Sequence, residues 1–190
     1  MATENPSRKL LAVLRGQKFD VPPVWLMRQA GRYLPEFRAL RAQKGGFLQL
    51  VYGGYAAAEV TLQPIRRVGF DGAILFSDIL VVPHAMGQDL WFETGEGPRL
   101  APKLSDNDWR DFTPAPERLK PVYETVRKVR AALPAETTFL GFAGSPWTVA
   151  TYMVAGQGSK DHAETRAQAY SDPQKFGDLI DAITATTVDY

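Results

Sequence analysis

Residues 73–78 read Ala-Ile-Leu-Phe-Ser-Asp, four apolar side chains followed abruptly by two polar ones. A continuous apolar run of this length is typical of a strand that is buried on both faces of a parallel sheet. Similar runs occur at residues 24–27, Val-Trp-Leu-Met, which Arg28 follows, and at residues 138–142, Thr-Phe-Leu-Gly-Phe. The sequence therefore predicts three buried parallel strands, each followed by a loop that can carry functional side chains.

Helical periodicity and helix caps occupy the intervals between these runs. Ser145 and Asp172 each precede a proline, which is the pattern of a helix cap followed by a first-turn proline. The predicted helices cover residues 6–15 with Asn5 as the cap, 35–43, 47–52, 56–67, 122–133, 146–152 and a last stretch that opens at residues 172–173. Residues 89–93 and 98–100 are predicted to pair as a hairpin.

Alternating strands and helices indicate an α/β fold with a parallel sheet. A (β/α)₈ barrel needs eight such units and typically ~250 residues, whereas three units fall within these 190 residues. A doubly wound open sheet is the competing architecture, although no G-x-G-x-x-G motif follows any predicted strand. No linker divides the chain, so residues 1–190 are predicted to form a single domain.

Charge and cysteine content narrow the classes of partner. Lys and Arg number 22 against 21 Asp and Glu, so a formal net charge of +1 gives no general attraction for nucleic acid or a membrane surface. The absence of Cys excludes disulfides and thiolate metal sites. With no signal peptide or membrane span recognised, the sequence predicts a cytoplasmic protein with no metal, nucleic-acid or membrane partner.

The first candidate site is the run Arg28, Gln29, Ala30, Gly31 and Arg32, directly after the first predicted strand. Two guanidinium groups four residues apart can each bind a carboxylate or phosphate in a bidentate pair. Gly31 would let the backbone approach a ligand closely. The alternative is that both arginines are solvated surface residues.

Asp78 and Tyr152 are the other two candidates. Asp78 has apolar neighbours on both sides, so it must be paired, hydrogen-bonded or functional to stay charged; a cap or a structural ion pair is the alternative. Tyr152 lies in an apolar helix, where a core position is the alternative. Since each candidate follows a predicted parallel strand, all are expected to face one mouth of the sheet. His84 and His162 are interpreted as surface or structural residues.

Several segments resemble the uroporphyrinogen decarboxylase family, and they occur in that family's order. The matching segments are Val24–Glu36 (VWLMRQAGRYLPE), Thr61–Arg67, Ile74–Pro83, Gly141–Thr148 and Thr151–Val154. The resemblance implies the amino-terminal part of a (β/α)₈ TIM barrel and a homodimer. It implies an enzyme that removes carbon dioxide from the four acetate side chains of uroporphyrinogen III to give coproporphyrinogen III, without metal or organic cofactor, in haem biosynthesis.

By the same resemblance, residues Arg28, Gln29, Ala30, Gly31 and Arg32 would line the substrate cleft. Asp78 would be the catalytic carboxylate that meets the pyrrole N–H groups, and Tyr152 would be a further substrate contact. Family members are nearly twice this length, and a serine and a histidine expected later in the chain cannot be assigned here.

Two alternatives to a working decarboxylase stay open. The first is a truncated fragment that only binds or assembles, and the isolated 190 residues are expected to be inactive because they supply only the early strands. A corrinoid-linked methyltransferase of the same barrel superfamily is the other alternative. The absence of Cys disfavours it, because such enzymes use thiolate or histidine-cysteine metal sites.

Overall fold

The computed structural model describes residues 8–93 and 95–190, which divide into two compact units. The first unit contains residues 8–77 and 121–142, and the second contains residues 78–93, 95–120 and 143–190. The predicted cap Asn5 and the first residues of the first predicted helix lie outside the described part. That residues 1–190 form a single domain stays a prediction.

The helices and strands follow one another along the chain much as the sequence pattern indicates. Two short 3₁₀ turns, Trp109–Asp111 and Pro116–Leu119, precede α6. The elements are α1 (Lys9–Leu14), α2 (Pro35–Lys44), α3 (Phe47–Val51), α4 (Gly54–Val68), β1 (Gly72–Ile74), α5 (Val81–Ala85), β2 (Asp89–Glu93), β3 (Gly97–Ala101), α6 (Lys120–Ala132), β4 (Thr138–Leu140), α7 (Pro146–Ala155), α8 (Ala163–Ser171) and α9 (Pro173–Asp189).

In the first unit, β1 and β4 form a parallel pair in which Gly72 lies opposite Thr138 and Ile74 lies opposite Leu140. The backbone N–H of Leu75 also donates to the carbonyl of Leu140 at 2.9 Å. Two of the three predicted parallel strands are thereby confirmed, and both are shorter than predicted.

The prediction of a strand at residues 24–27 is wrong. This segment has no regular secondary structure, and Val24, Leu26 and Met27 are 50%, 53% and 73% exposed. Two hydrogen bonds join it to Asp71, just before β1. The Val24 N–H donates to the Asp71 carboxylate at 2.8 Å, and the Asp71 N–H donates to the Val24 carbonyl at 2.9 Å. Val24 is the one residue of this segment that is hydrogen-bonded to Asp71, and a single bonded residue does not form a β-ladder. The apolar segment therefore remains coil.

Helices α4 and α6 pack against the paired strands of the first unit. Ala58, Leu62 and Val129 form a buried cluster, against which Phe139 of β4 packs. The Thr61 hydroxyl donates to the Ala57 carbonyl at 2.8 Å and accepts from the Phe76 N–H at 3.0 Å. α4 therefore fixes the backbone immediately after β1 by a specific hydrogen bond as well as by apolar contact.

The second unit contains the β2–β3 hairpin, as predicted, together with α5, α7, α8 and α9. Both predicted caps are confirmed: the Ser145 side chain accepts from the Thr148 N–H, and Asp172 accepts from the Lys175 N–H. Gln88 is fully buried, and its amide nitrogen donates to the Met153 carbonyl of α7 at 3.1 Å. α5 and α8 were not predicted.

The described residues also lack two kinds of feature. None of their helices has the length and apolarity needed to cross a bilayer. Within the same residues, no three His, Cys, Asp or Glu side chains are grouped closely enough to hold a metal ion.

Candidate functional site

The segment after residues 24–27 is fastened to the sheet by the side chain of Gln29. Gln29 is fully buried, its amide oxygen accepts from the Leu26 N–H at 3.1 Å, and its amide nitrogen donates to the Gly72 carbonyl at 2.9 Å. A side chain that uses both ends of its amide internally has a structural role in this conformation. Gln29 thus positions its neighbours on either side along the chain.

Arg28 and Arg32, on either side of this anchor, are both exposed. Across residues 8–93 and 95–190, neither guanidinium forms a salt bridge or a side-chain hydrogen bond. The backbone around them is nevertheless held, because Tyr33 donates to the Gln29 carbonyl and Arg38 donates to the Arg32 carbonyl at 2.8 Å. The result is two uncommitted cations on a fixed backbone.

Ala30 and Gly31 contribute through their backbone and their small size. Ala30 is half-buried against the apolar cluster that contains Leu34 and Phe37. Gly31 does not have a left-handed φ, and a Cβ built there would meet the Tyr33 ring at an ordinary 3.5 Å. Gly31 therefore does not use the left-handed conformation that glycine tolerates, and the space left by its missing side chain remains open to a ligand.

Asp78 follows β1 by four residues in the chain and belongs to the second unit. Its Oδ1 accepts from the Leu80 N–H at 2.8 Å, which fixes the carboxylate at the turn before α5. Burial raises the pKa of Asp78 above its ordinary value, and the bond from Leu80 opposes part of that rise. No hydrogen bond from the described residues engages Oδ2. Asp78 is thus a partly desolvated carboxylate with one oxygen available.

The loops that follow β1 and β4 in the chain meet closely within the second unit. A Cβ built on Gly144 would lie 3.1 Å from the Ile79 Cβ and 2.7 Å from a methyl group of Val149. Any side chain larger than hydrogen at residue 144 would push these groups apart. This approach brings the residue after Asp78 against the start of α7, the helix that carries Tyr152.

Tyr152 is half-buried and lines a cavity of about 160 Å³ in the second unit. The cavity is lined by Trp147, Thr148, Thr151, Tyr152, Ser159 and His162. Within the described residues, no hydrogen bond engages the Tyr152 hydroxyl. Tyr152 therefore presents an uncommitted polar group beside an accessible space, which a core tyrosine would not do.

The predicted candidates are thus distributed over both units. Residues 28–32 belong to the first unit, whereas Asp78 and Tyr152 belong to the second. That all of them face one mouth stays a prediction. Sequence reasoning placed His162 among the surface or structural residues and did not associate it with Tyr152, because two residues ten apart across a loop show no helical or strand spacing.

Comparison with known proteins gives one consistent result. The family model described as uroporphyrinogen decarboxylase (URO-D) matches residues 5–190. A protein named uroporphyrinogen decarboxylase from Rhizorhabdus wittichii is 72% identical over 184 residues, which are 97% of this chain and 54% of that protein. One of the same name from Ruegeria pomeroyi is 57% identical over 187 residues, 97% of this chain and 54% of that protein. The chain spans about half the length of the curated relatives it matches.

Among solved structures, a methyltransferase from Methanosarcina mazei superposes with a TM-score of 0.74 over 98% of this chain and 55% of that chain. The two sequences are 19% identical, so this likeness bears on the fold alone. Together with the family match, it indicates a TIM-barrel-like fold.

Proposed function

Because the chain belongs to the uroporphyrinogen decarboxylase family, we propose that it supplies the amino-terminal half of a closed (β/α)₈ barrel that decarboxylates uroporphyrinogen. The reaction would convert the four acetate side chains of uroporphyrinogen III to methyl groups and so give coproporphyrinogen III. A cytoplasmic homodimer is the expected form of the complete protein.

The chemistry requires a sink for the electrons that remain when carbon dioxide leaves. Protonation of the ring carbon between the nitrogen and the carbon that bears the acetate converts the ring to a cationic, imine-like system conjugated with the acetate methylene, which accepts those electrons. The exocyclic methylene group that results takes up a proton to become the methyl group, and the ring carbon then releases the proton that it first accepted. The substrate thus provides its own sink, and the protein has to stabilise positive charge that develops on the pyrrole nitrogen. A preorganised group aimed at developing charge is worth about 3 kcal/mol or more.

Asp78 is the residue best suited to that stabilising role, and its environment is the observation that carries the proposal. Oδ1 is held by the Leu80 N–H, while Oδ2 has no partner among the described residues. Partial burial lowers the local dielectric and so strengthens an interaction with a pyrrole N–H cation. The raised pKa that burial causes would fall once the cation arrives, since an opposite charge favours the ionised carboxyl.

Arg28 and Arg32 would bind substrate carboxylates. Uroporphyrinogen carries eight carboxylates, whereas the chain has a formal net charge of only +1, so attraction has to come from local cations. Guanidinium groups that are free of internal ion pairs can each form a bidentate pair without first breaking another interaction. Gln29 contributes by holding the backbone between them, and Ala30 and Gly31 by keeping that surface open.

The test is to assay carbon dioxide release and coproporphyrinogen formation from uroporphyrinogen III, using the protein as its gene encodes it. Turnover with no added metal or organic cofactor is expected, and no turnover by a folded preparation would contradict the proposal. Residues 1–190 expressed alone form the second arm. Turnover by that piece within tenfold of a full-length relative would show that the early strands suffice, contrary to the expectation that the later ones complete the cleft.

A further inference from the structure

The cavity beside Tyr152 contains a histidine in an unusual position. His162 lies between Ser159 and α8 with φ 53° and ψ 32°, the left-handed region that side chains other than glycine rarely occupy. Its ring lines the cavity together with Tyr152. The ring Nδ1 is buried and has no hydrogen-bond partner. A buried polar atom without a partner is uncommon and calls for a physical explanation.

The backbone at His162 is held by the short loop in front of it. The His162 N–H donates to the Ser159 hydroxyl at 3.1 Å, and that hydroxyl donates to the Asp161 carboxylate at 3.0 Å. The same carboxylate accepts from the Ala163 N–H at 3.2 Å. These bonds hold the pKa of Asp161 below its ordinary value, so the carboxylate stays charged and committed to the loop.

The serine and threonine hydroxyls of the cavity wall are used internally. Thr151 donates to the Thr148 carbonyl at 2.7 Å, and the hydroxyls of Thr148 and Ser145 lie 2.9 Å apart. Ser159 is committed to Asp161. Within the described residues, the Tyr152 hydroxyl, the His162 ring and the Trp147 indole N–H are the wall groups that no hydrogen bond engages. They are therefore the groups available to a ligand.

The tautomer of His162 follows from the burial of Nδ1. A buried N–H without an acceptor is rarer than a buried acceptor without a donor. The neutral ring should therefore carry its proton on Nε2, which makes the ring a donor in a cavity that Tyr152 also lines. Two donors together suit a ligand that only accepts, and an ionised carboxylate is such a ligand.

The volume of the cavity sets the size of the ligand group. About 160 Å³ is close to the ~150 Å³ of an engineered cavity that holds one benzene molecule. A whole tetrapyrrole does not fit this space, but one carboxyalkyl arm does. The wall includes Trp147, whose ring packs edge-to-face with that of Phe176, with the ring centroids 5.8 Å apart. The Trp147 ring offers an apolar surface to the methylene part of such an arm.

We infer that this cavity receives one carboxyalkyl arm of the substrate and that His162, with Tyr152, donates a hydrogen bond to the carboxylate of that arm. This inference rests on the proposed function, and it adds a substrate-binding role for the loop between α7 and α8. His162 binds the arm without taking part in proton transfer at the pyrrole carbon.

The decisive comparison replaces His162 by Phe, Gln or Gly in the protein as its gene encodes it. His162→Phe keeps ring size but removes the donor, and KM for uroporphyrinogen should rise about 10- to 100-fold with kcat changed less than threefold, as expected for a lost hydrogen bond to a charged group. His162→Gln retains an amide N–H near the Nε2 position and should recover most of that loss. Glu164→Gln, an exposed neighbour in α8, is the matched control and should leave both constants unchanged.

His162→Gly separates ligand binding from backbone geometry. Glycine adopts φ 53° without strain, so a purely structural role predicts a wild-type KM and equal or higher stability. The inference predicts that KM rises as in His162→Phe even though the unfolding midpoint does not fall. Turnover by the wild type with unchanged KM in both His162→Phe and His162→Gly would overturn this inference alone. Absence of wild-type turnover would overturn the proposed function and this inference with it.

Discussion

Residues 24–28 and residues 73–78 have nearly the same sequence pattern, yet they adopt different structures. Both are apolar runs that end in a charged residue, Arg28 in one case and Asp78 in the other. The second run starts as β1, paired with β4 from Gly72 to Ile74. The first is exposed coil. An apolar run therefore specifies a strand only where the rest of the fold supplies a neighbour.

The packing around Gly72 shows how the two runs are related. A Cβ built there would lie 2.9 Å from Leu10, 3.0 Å from the Trp25 Cβ and 3.1 Å from Leu140. Segment 24–27 thus lies directly against β1, but side-chain bonds from Gln29 and Asp71 hold it there instead of a backbone ladder. The charged residue that ends each run is accordingly presented by a different scaffold.

The largest effect is expected from Asp78→Asn, the change at the end of the run that forms a strand. The amide keeps the cap on the Leu80 N–H through its oxygen but removes the charge that faces the pyrrole cation. kcat should fall by about two orders of magnitude or more. Steady-state rates of carbon dioxide release from uroporphyrinogen provide the measurement. A kcat within threefold of wild type would remove Asp78 from the mechanism.

The next largest effect is expected from Gln29→Leu, which removes the side-chain hydrogen bond between the coil segment and β1. The substitution leaves the Gly72 carbonyl and the Leu26 N–H without their partners, and a buried unpaired group such as the Gly72 carbonyl costs about 1–3 kcal/mol. We expect the free energy of unfolding to fall by about 2–3 kcal/mol, measured by urea denaturation. Gln43→Leu, at an exposed position in α2, is the matched control and should change little. Equal stability of the two variants would show that Gln29 does not anchor the segment.

A smaller effect, on binding, is expected for Arg28→Lys and Arg32→Lys. Lysine keeps the charge but loses the planar fork that pairs with both oxygens of a carboxylate. KM should rise about tenfold for each variant, which corresponds to about 1.4 kcal/mol. The measurement is KM at low and at high salt. If both variants retain the wild-type KM at both ionic strengths, the arginines do not clamp carboxylates.

The smallest effect concerns the stability of the same Asp78→Asn variant. Burial raises the pKa of Asp78 in the folded state, so the folded protein binds that proton more tightly than the unfolded chain does. The contribution of Asp78 to stability therefore declines as pH rises from its ordinary pKa of 3.8 through the raised value. At pH 7 the asparagine variant should unfold at higher urea than wild type, and the gap should narrow as pH is lowered toward 3.8. A wild type more stable than the variant at pH 7 would contradict this sign.

Local chemistry explains which parts of the fold could be predicted from sequence. The caps at Ser145 and Asp172 are correct because each involves a side chain and a backbone N–H three residues away. Segment 24–27 was mispredicted because its state depends on contacts with Asp71 and Gly72, more than 40 residues further along the chain. α8 was missed because its sequence lacks a clear apolar face.

Part of the candidate site could likewise be predicted from the sequence, and part of it could not. The residue types at positions 28, 32, 78 and 152 indicate which chemistry is available. The apolar neighbours of Asp78 in the sequence already indicate a desolvated carboxylate, whereas the internal use of the Gln29 amide depends on long-range packing and could not be inferred. The left-handed backbone at His162 depends on the Ser159 and Asp161 side chains, so its place beside Tyr152 needed the structure.

The register of β1 with β4 also has a consequence for synthesis on the ribosome. Gly72 pairs with Thr138, 66 residues later, and residues 78–120 of the second unit are made in between. At about 5–20 residues per second, β1 emerges roughly 3–13 seconds before its partner exists. During that interval the backbone donors and acceptors on the β4-facing edge of β1 have no partner, so the nascent chain is the stage at which this protein should depend most on chaperones.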